Sequence, residues 1–178
     1  MEERPGKNRL KKVAITGPES TGKSSLAQQL AQHFKTAFVP EYAREYVANL
    51  KSPYQYPDIL NIAKGQLERE ILKYSEANKI IFCDTEFIVT KIWSENAYKK
   101  CDEWILRTIE DHPYHLYLLM NVDLPWEADP QREHPHLREY FFNLYEQELI
   151  KRKLPYKIIS GIGEVRLQNA IRAVKEMI

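Results

Sequence analysis

The stretch Gly17-Pro18-Glu19-Ser20-Thr21-Gly22-Lys23-Ser24 constrains this chain more than any other. It satisfies the phosphate-binding loop pattern G-x-x-x-x-G-K-S/T at every defined position. Ahead of it, Val13, Ala14, Ile15 and Thr16 form a short run bounded by Lys11-Lys12 and Gly17, which reads as a buried strand. Behind it, Leu26, Leu30 and Phe34, with Ala27 and Ala31 between them, mark one face of a helix. Gly17 and Gly22 permit backbone conformations and close approaches that a Cβ would block. The loop amides and the positive end of the helix can then hold the phosphates of ATP across Gly17 to Ser25. Lys23 is expected to reach the β- and γ-phosphates, and the Ser24 hydroxyl to hold Mg²⁺.

The rest of the chain alternates strands and helices. Ala37 to Val39 reads as a second strand ended by Pro40, Ile80 to Cys83 as a third running into Asp84, Leu116 to Met120 as a fourth and Lys157 to Ile159 as a fifth. Helices are expected from Glu41, with Tyr42, Tyr46 and Leu50 on one face, and from Pro57 to Ala77, with Leu60, Leu67, Ile71 and Tyr74 as its stripe. Another begins near Glu86, capped by Thr85, and another covers Glu103 to Asp111. His136 to Lys153 carries an apolar face of Leu137, Tyr140, Phe141, Leu144, Tyr145 and Leu149, and a last helix carries Leu167, Ala170, Ile171, Val174 and Ile178. This alternation predicts an α/β fold: a five-stranded parallel sheet with helices on both faces. Residues 1–11 read as a flexible polar tail, and 12–178 as a single P-loop domain.

Composition narrows the partners. The formal net charge is +1, so no basic field points to nucleic acid. Cys83 and Cys101 have no C-x-x-C spacing and read as small buried groups rather than zinc ligands or a disulfide framework. No apolar run has the length of a membrane span, and the N-terminus lacks the apolar core of a signal peptide. A cytoplasmic protein with no membrane partner is expected; association into a homo-oligomer is compatible with the sequence.

Several side chains stand where an open parallel sheet binds its ligands, at the carboxyl ends of strands. Asp84 ends an apolar strand downstream of the phosphate loop, the place of a second magnesium-linked carboxylate. Glu41 and Arg44 follow the second strand; they are either site residues or a solvated i,i+3 charge pair. Glu86 is either a carboxylate of the site or a first-turn acid favoured by the helix dipole. Gly65 lies inside a helix, by chance or because a neighbour approaches closely, and Gln66 beside it either meets a substrate or is exposed. Trp126 to Glu133, interrupted by Pro130, reads as a lid whose Arg132 either reaches the transferring phosphoryl group or pairs with Asp129 or Glu133. His134 and His136 flank Pro135 without a third metal ligand and read as exposed. Ser160-Gly161-Ile162-Gly163 either lies against an adenine ring or merely turns the chain.

With these residues in view, the chain resembles the ribosylnicotinamide kinase domain of the NadR family, a branch of the P-loop kinases. The resemblance spans most of residues 12–178. It is carried by the phosphate loop, by Pro40-Glu41-Tyr42-Ala43-Arg44-Glu45-Tyr46, by Asp84-Thr85-Glu86 and by the lid from Pro125-Trp126 to Arg132. It implies a nucleoside-monophosphate-kinase-like sheet and transfer of the γ-phosphate of ATP to the 5′-hydroxyl of nicotinamide riboside. The family often has aspartate where Glu86 stands. Full-length NadR proteins can also carry a DNA-binding helix-turn-helix and an adenylyltransferase domain. No H-x-G-H signature of the latter is present, so only the kinase step is expected. The resemblance also implies site roles: Lys23, Asp84 and Arg132 for phosphoryl transfer, Ser24 and Asp84 for Mg²⁺, and Tyr42, Arg44 and Glu86 for the riboside. Glu41, Asp84 or Glu86 could take the hydroxyl proton, and kinases of this type favour Glu41. A kinase for another hydroxyl compound, or a regulatory module that hydrolyses nucleotide slowly, are the alternative readings.

Overall fold

The structure, a computed structural model, describes residues 10–178. The expected N-terminal tail therefore lies almost wholly outside the described residues, and its last residue, Lys11, already opens the first strand.

Five strands, β1 (Lys11–Thr16), β2 (Phe38–Val39), β3 (Ile80–Asp84), β4 (Leu116–Met120) and β5 (Tyr156–Ile159), form one sheet in the order β2-β3-β1-β4-β5. Every pairing is parallel. The inner strands are buried on both faces, so side chains of opposite parity enter two separate cores. Val13, Ile15, Phe82 and Leu118 pack under α1 (Lys23–Phe34) and α7 (Glu164–Met177). Ala14, Ile81, Cys83, Tyr117 and Leu119 face the opposite core, covered by α3 (Tyr56–Lys73), α4 (Phe87–Tyr98), α5 (Glu103–Asp111) and α6 (Arg138–Lys151). A short α2 (Tyr42–Ala48) precedes α3. At the β5 edge Lys157 and Ile158 are exposed and only Ile159 is buried; the charge discourages further strand pairing.

Three helical expectations change. The buried positions of α3 are Ile59, Ile62, Ala63, Gln66 and Glu70, whereas Ile71 of the expected stripe is exposed. Two polar side chains occupy core positions there, so a stripe drawn from apolar residues alone is rotated. α4 is capped by Glu86, not Thr85: the Glu86 carboxylate accepts from the amides of Ile88 (2.7 Å) and Val89 (3.3 Å). α6 begins at Arg138, leaving Leu137 and Tyr140 exposed while Phe141, Phe142, Tyr145 and Leu149 form its buried face.

Because all strands run the same way, their carboxyl ends share one edge. β1 has β3 on one side and β4 on the other, so the loop after β1 leaves the sheet where the strand order reverses, the usual ligand crevice of such sheets.

Candidate active site

Gly17 has φ 131° and Gly22 φ 79°, both left-handed conformations that favour glycine. A Cβ on Gly17 would also come within 3.1 Å of the Met120 carbonyl oxygen. No side chain caps α1, so its first amides remain directed at the loop. The Lys23 ammonium donates to the carbonyls of Gly17 (3.0 Å) and Pro18 (2.7 Å). Burial lowers its pKa, and the charges of Glu41, Asp84 and Glu19 oppose that shift.

The Ser24 hydroxyl donates to Asp84 Oδ2 at 2.5 Å, across the gap between α1 and β3. Asp84 is 2% exposed, and its Oδ1 is buried without a hydrogen-bond partner. Burial raises the pKa of this carboxyl, opposed first by the Ser24 hydroxyl and then by Lys23. An orphaned carboxylate oxygen beside a hydroxyl is a hard donor pair that fits Mg²⁺, which takes few protein ligands and completes its shell with phosphate and water. Among the described residues no cluster of three or more His, Cys, Asp or Glu side chains offers a metal a closed protein cage. Thr85 follows with φ 72°, strained for a β-branched residue, between Asp84 and Glu86 in the sequence.

The three expected base candidates separate by their bonding. Glu86 is 1% exposed; besides capping α4, it accepts from the Thr16 hydroxyl at 2.8 Å. Burial raises its pKa to about 7. Like Asp84 it does not line the cavity, and its carboxylate is occupied by the α4 amides and the Thr16 hydroxyl. Asp84 is engaged by Ser24. Glu41 stands at the N-terminus of α2 yet makes no capping bond there, and it lines the cavity. Burial raises its pKa and Lys23 opposes the shift.

Arg44 pairs with Asp129 at 2.9 Å rather than with Glu41, joining α2 to the lid. Both residues expected to shape the acceptor pocket with Glu41 therefore need separate accounts. Arg44 borders the cavity. Tyr42 does not: its amide donates to Gln66 Oε1 at 2.9 Å, and its ring fills the space a Cβ on Gly65 would need. Gly65 is thus explained by close approach, and Gln66, 5% exposed, binds backbone instead of solvent.

The lid is fastened to the phosphate loop. The Glu19 carboxylate accepts from the amides of Glu133 and His134, each at 3.1 Å. The Ser20 hydroxyl accepts from the Glu127 amide at 2.8 Å. Arg132 donates to the Glu127 carbonyl and lies 3.5 Å from the Ser20 hydroxyl, so it pairs with neither Asp129 nor Glu133. It lines the cavity beside the loop. His134 stacks near Phe141, with ring centroids 5.2 Å apart, and is only partly exposed.

Loop, lid and α2 enclose one cavity of about 760 Å³. At one end Ile162, Gly163 and Arg166 adjoin the phosphate loop; at the other, Tyr54, Val89, Trp93, Asn96, Phe141 and Tyr145 form a largely aromatic wall. The Tyr54 and Trp93 rings meet edge-on, with centroids 4.8 Å apart. The glycine loop after β5 both turns and borders the cavity: Gly161 has φ 102° and its amide donates to Asp123 Oδ2 at 2.6 Å. Sequence reasoning passed over Tyr54, Trp93 and Asn96, because a loop and a helix distant in sequence bring them together. It also passed over Arg166. Arg166 is 5% exposed and donates to the carbonyls of Gly161 (2.7 Å) and Thr21 (2.9 Å) and to Asp123, tying the phosphate loop to the exits of β4 and β5.

Residues 12–166 match the AAA domain family. The chain belongs to that family. The chain is 29% identical over 175 residues to the trifunctional NAD biosynthesis/regulator protein NadR of Salmonella typhimurium and, to the same extent, to that of Escherichia coli. Each match covers 94% of this chain and 43% of the relative, so the chain spans less than half the length of these proteins. A crystal structure of NadR protein in complex with NR superposes with a TM-score of 0.81 at 27% identity, and one in complex with NAD and AMP-PNP with 0.78 at 26%; each covers 94% of this chain and 49% of the other. The thymidylate kinase of Ehrlichia chaffeensis shares the fold alone: TM-score 0.66 at 10% identity, over 95% of this chain and 99% of that one. The resemblance to NadR and the nucleoside-monophosphate-kinase-like fold read from the motifs are borne out by these matches. No helix among the described residues is long and apolar enough to cross a membrane.

Proposed function

We propose that this chain transfers the γ-phosphate of ATP to the 5′-hydroxyl of nicotinamide riboside, giving nicotinamide mononucleotide and ADP. The observation that carries the reading is the continuity of one cavity from the phosphate loop, past Glu41, to the aromatic wall of Tyr54 and Trp93. A nucleotide and a flat-ringed riboside placed end to end would bring a hydroxyl to the phosphate between them. The NadR structure that contains NR supports the choice of acceptor.

In this reading the loop amides and Lys23 hold the triphosphate. The 5′-oxygen attacks the γ-phosphorus as the bond to the bridging oxygen of ADP breaks, and the hydroxyl proton passes to Glu41. Raised by burial, the Glu41 carboxylate is a better proton acceptor than one in water. Arg132, at the lid's inner edge, neutralises charge on the moving group. Ser24 and Asp84 would hold Mg²⁺, which supplies charge neutralisation at the phosphates. The test is product analysis by mass after incubation with ATP and magnesium. Nicotinamide riboside should yield the mononucleotide, and its 5′-deoxy analogue should bind without being phosphorylated. Phosphorylation of the 5′-deoxy analogue, or of thymidine in preference to the riboside, would refute the assignment.

A further inference from the structure

We propose that Gln66, a residue of α3 outside the cavity, positions Glu41 for proton transfer; this rests on the reading of Glu41 as the proton acceptor. α2 has seven residues and none of them is fully buried, so besides the Tyr42 ring it is held against α3 by polar contacts. Tyr46 donates to Asp58 at 2.8 Å, Asn61 donates to the Tyr46 hydroxyl at 3.3 Å, and Arg69 pairs with Glu45 at 2.5 Å. These partners are exposed or half-buried. Gln66 is the fully buried partner, 5% exposed, and its contact falls on the residue next to Glu41.

The first amides of a helix need acceptors, and an acid at the N-terminal boundary ordinarily bends back to supply one. Here Glu41 makes no such bond. Gln66 accepts from the amide of Tyr42, the residue that follows Glu41, at 2.9 Å and so fixes the backbone that carries Glu41, whose carboxylate lines the cavity. Gly65 lets the Tyr42 ring lie against the α3 backbone, and the Arg69 guanidinium covers that ring from 4.7 Å. The Gln66 side chain also carries an unfavourable feature: its Nε2 is buried with no hydrogen-bond partner. An orphaned donor costs stability. The acceptor oxygen is the atom of this side chain that has a backbone partner.

The test is a double-mutant cycle of Gln66→Met and Glu41→Gln, read as kcat and as KM for ATP, with thermal unfolding as the control for folding. Gln66→Met keeps the shape and removes the acceptor. Displacement of a reacting group by a fraction of an ångström should lower kcat roughly ten-fold and leave KM for ATP unchanged. In the Glu41→Gln background the same substitution should have no further effect, because there is no base left to misplace. Gly65→Ala, which pushes Tyr42 off α3, should reproduce the loss and its disappearance in that background, and it serves if Gln66→Met fails to fold. If Glu41→Gln alone keeps full activity, the base assignment is wrong and this proposal falls with it. If Glu41→Gln is slow but Gln66→Met slows both backgrounds equally, or neither, the base stands and the positioning role is overturned.

Discussion

The two ends of the cavity are built in opposite ways. The phosphate end is largely local: β1, the glycine loop and α1 are contiguous from Lys11 to Phe34, with Asp84, Arg166 and the lid added from afar. The acceptor end has no contiguous element. Glu41 comes from the start of α2, Tyr54 from a loop, Trp93 and Asn96 from α4, Arg132 from the lid and Tyr145 from α6. A local site can be specified by spacing, because the loop's own backbone makes it. An assembled site depends on how helices pack, and its residues can change without altering the fold. In the proposed reading the phosphates are held at the local end, and the acceptor is chosen at the assembled one.

The largest expected effect lies at the local end. Lys23→Ala should lower kcat about a thousand-fold, since it removes the charge aimed at the phosphates. A rapid-quench assay of ADP formation reads it, and an effect below ten-fold would mean that Lys23 does not face the reacting phosphate. Glu41→Gln, at the junction, should cost about a hundred-fold in kcat with ATP affinity unchanged. Trp93→Ala tests the assembled end: KM for the acceptor should rise about ten-fold while ATP binding, followed by calorimetry, stays the same. A matching loss of ATP affinity would show that the two ends are not separable.

A further effect is on stability, not rate, and lies behind the acceptor end. Glu70 is fully buried on α3, accepts a hydrogen bond from Tyr114, and has its pKa raised by burial to about 7 from 4.5. Between those values the folded state keeps a proton that the unfolded chain has lost, so this group's contribution is full at low pH and is lost as pH rises through the folded pKa. Glu70→Gln, which cannot ionise, should gain stability relative to the wild type on going from about pH 5 to about pH 8, by at most about 3 kcal/mol. Denaturant melts across that range check the sign; a gap that narrows with rising pH would contradict it.

The same contrast explains what the sequence made legible. Gly17 to Ser24 could be read outright because the motif is contiguous and each position has a stated chemical role. Asp84 could be placed because it ends a strand of four apolar residues. The stripe of α3 was misplaced because Gln66 and Glu70 take core positions for polar reasons that no hydrophobic period records. Glu86 and Tyr42 stand beside site residues in sequence, yet their side chains turn to α4 and α3 respectively. Neighbourhood along the chain is a poor guide at a strand end, where successive side chains diverge. Tyr54 and Trp93 carried no signal as single aromatic residues; only the packing of their elements makes them a wall.

The most direct test of the account is ADP release from MgATP by the wild-type chain, with and without nicotinamide riboside. The account predicts release that depends strongly on the riboside, with one mononucleotide formed for each ADP. Release at the same rate in its absence, with no mononucleotide, would contradict it and leave a nucleotide hydrolase built on the same loop.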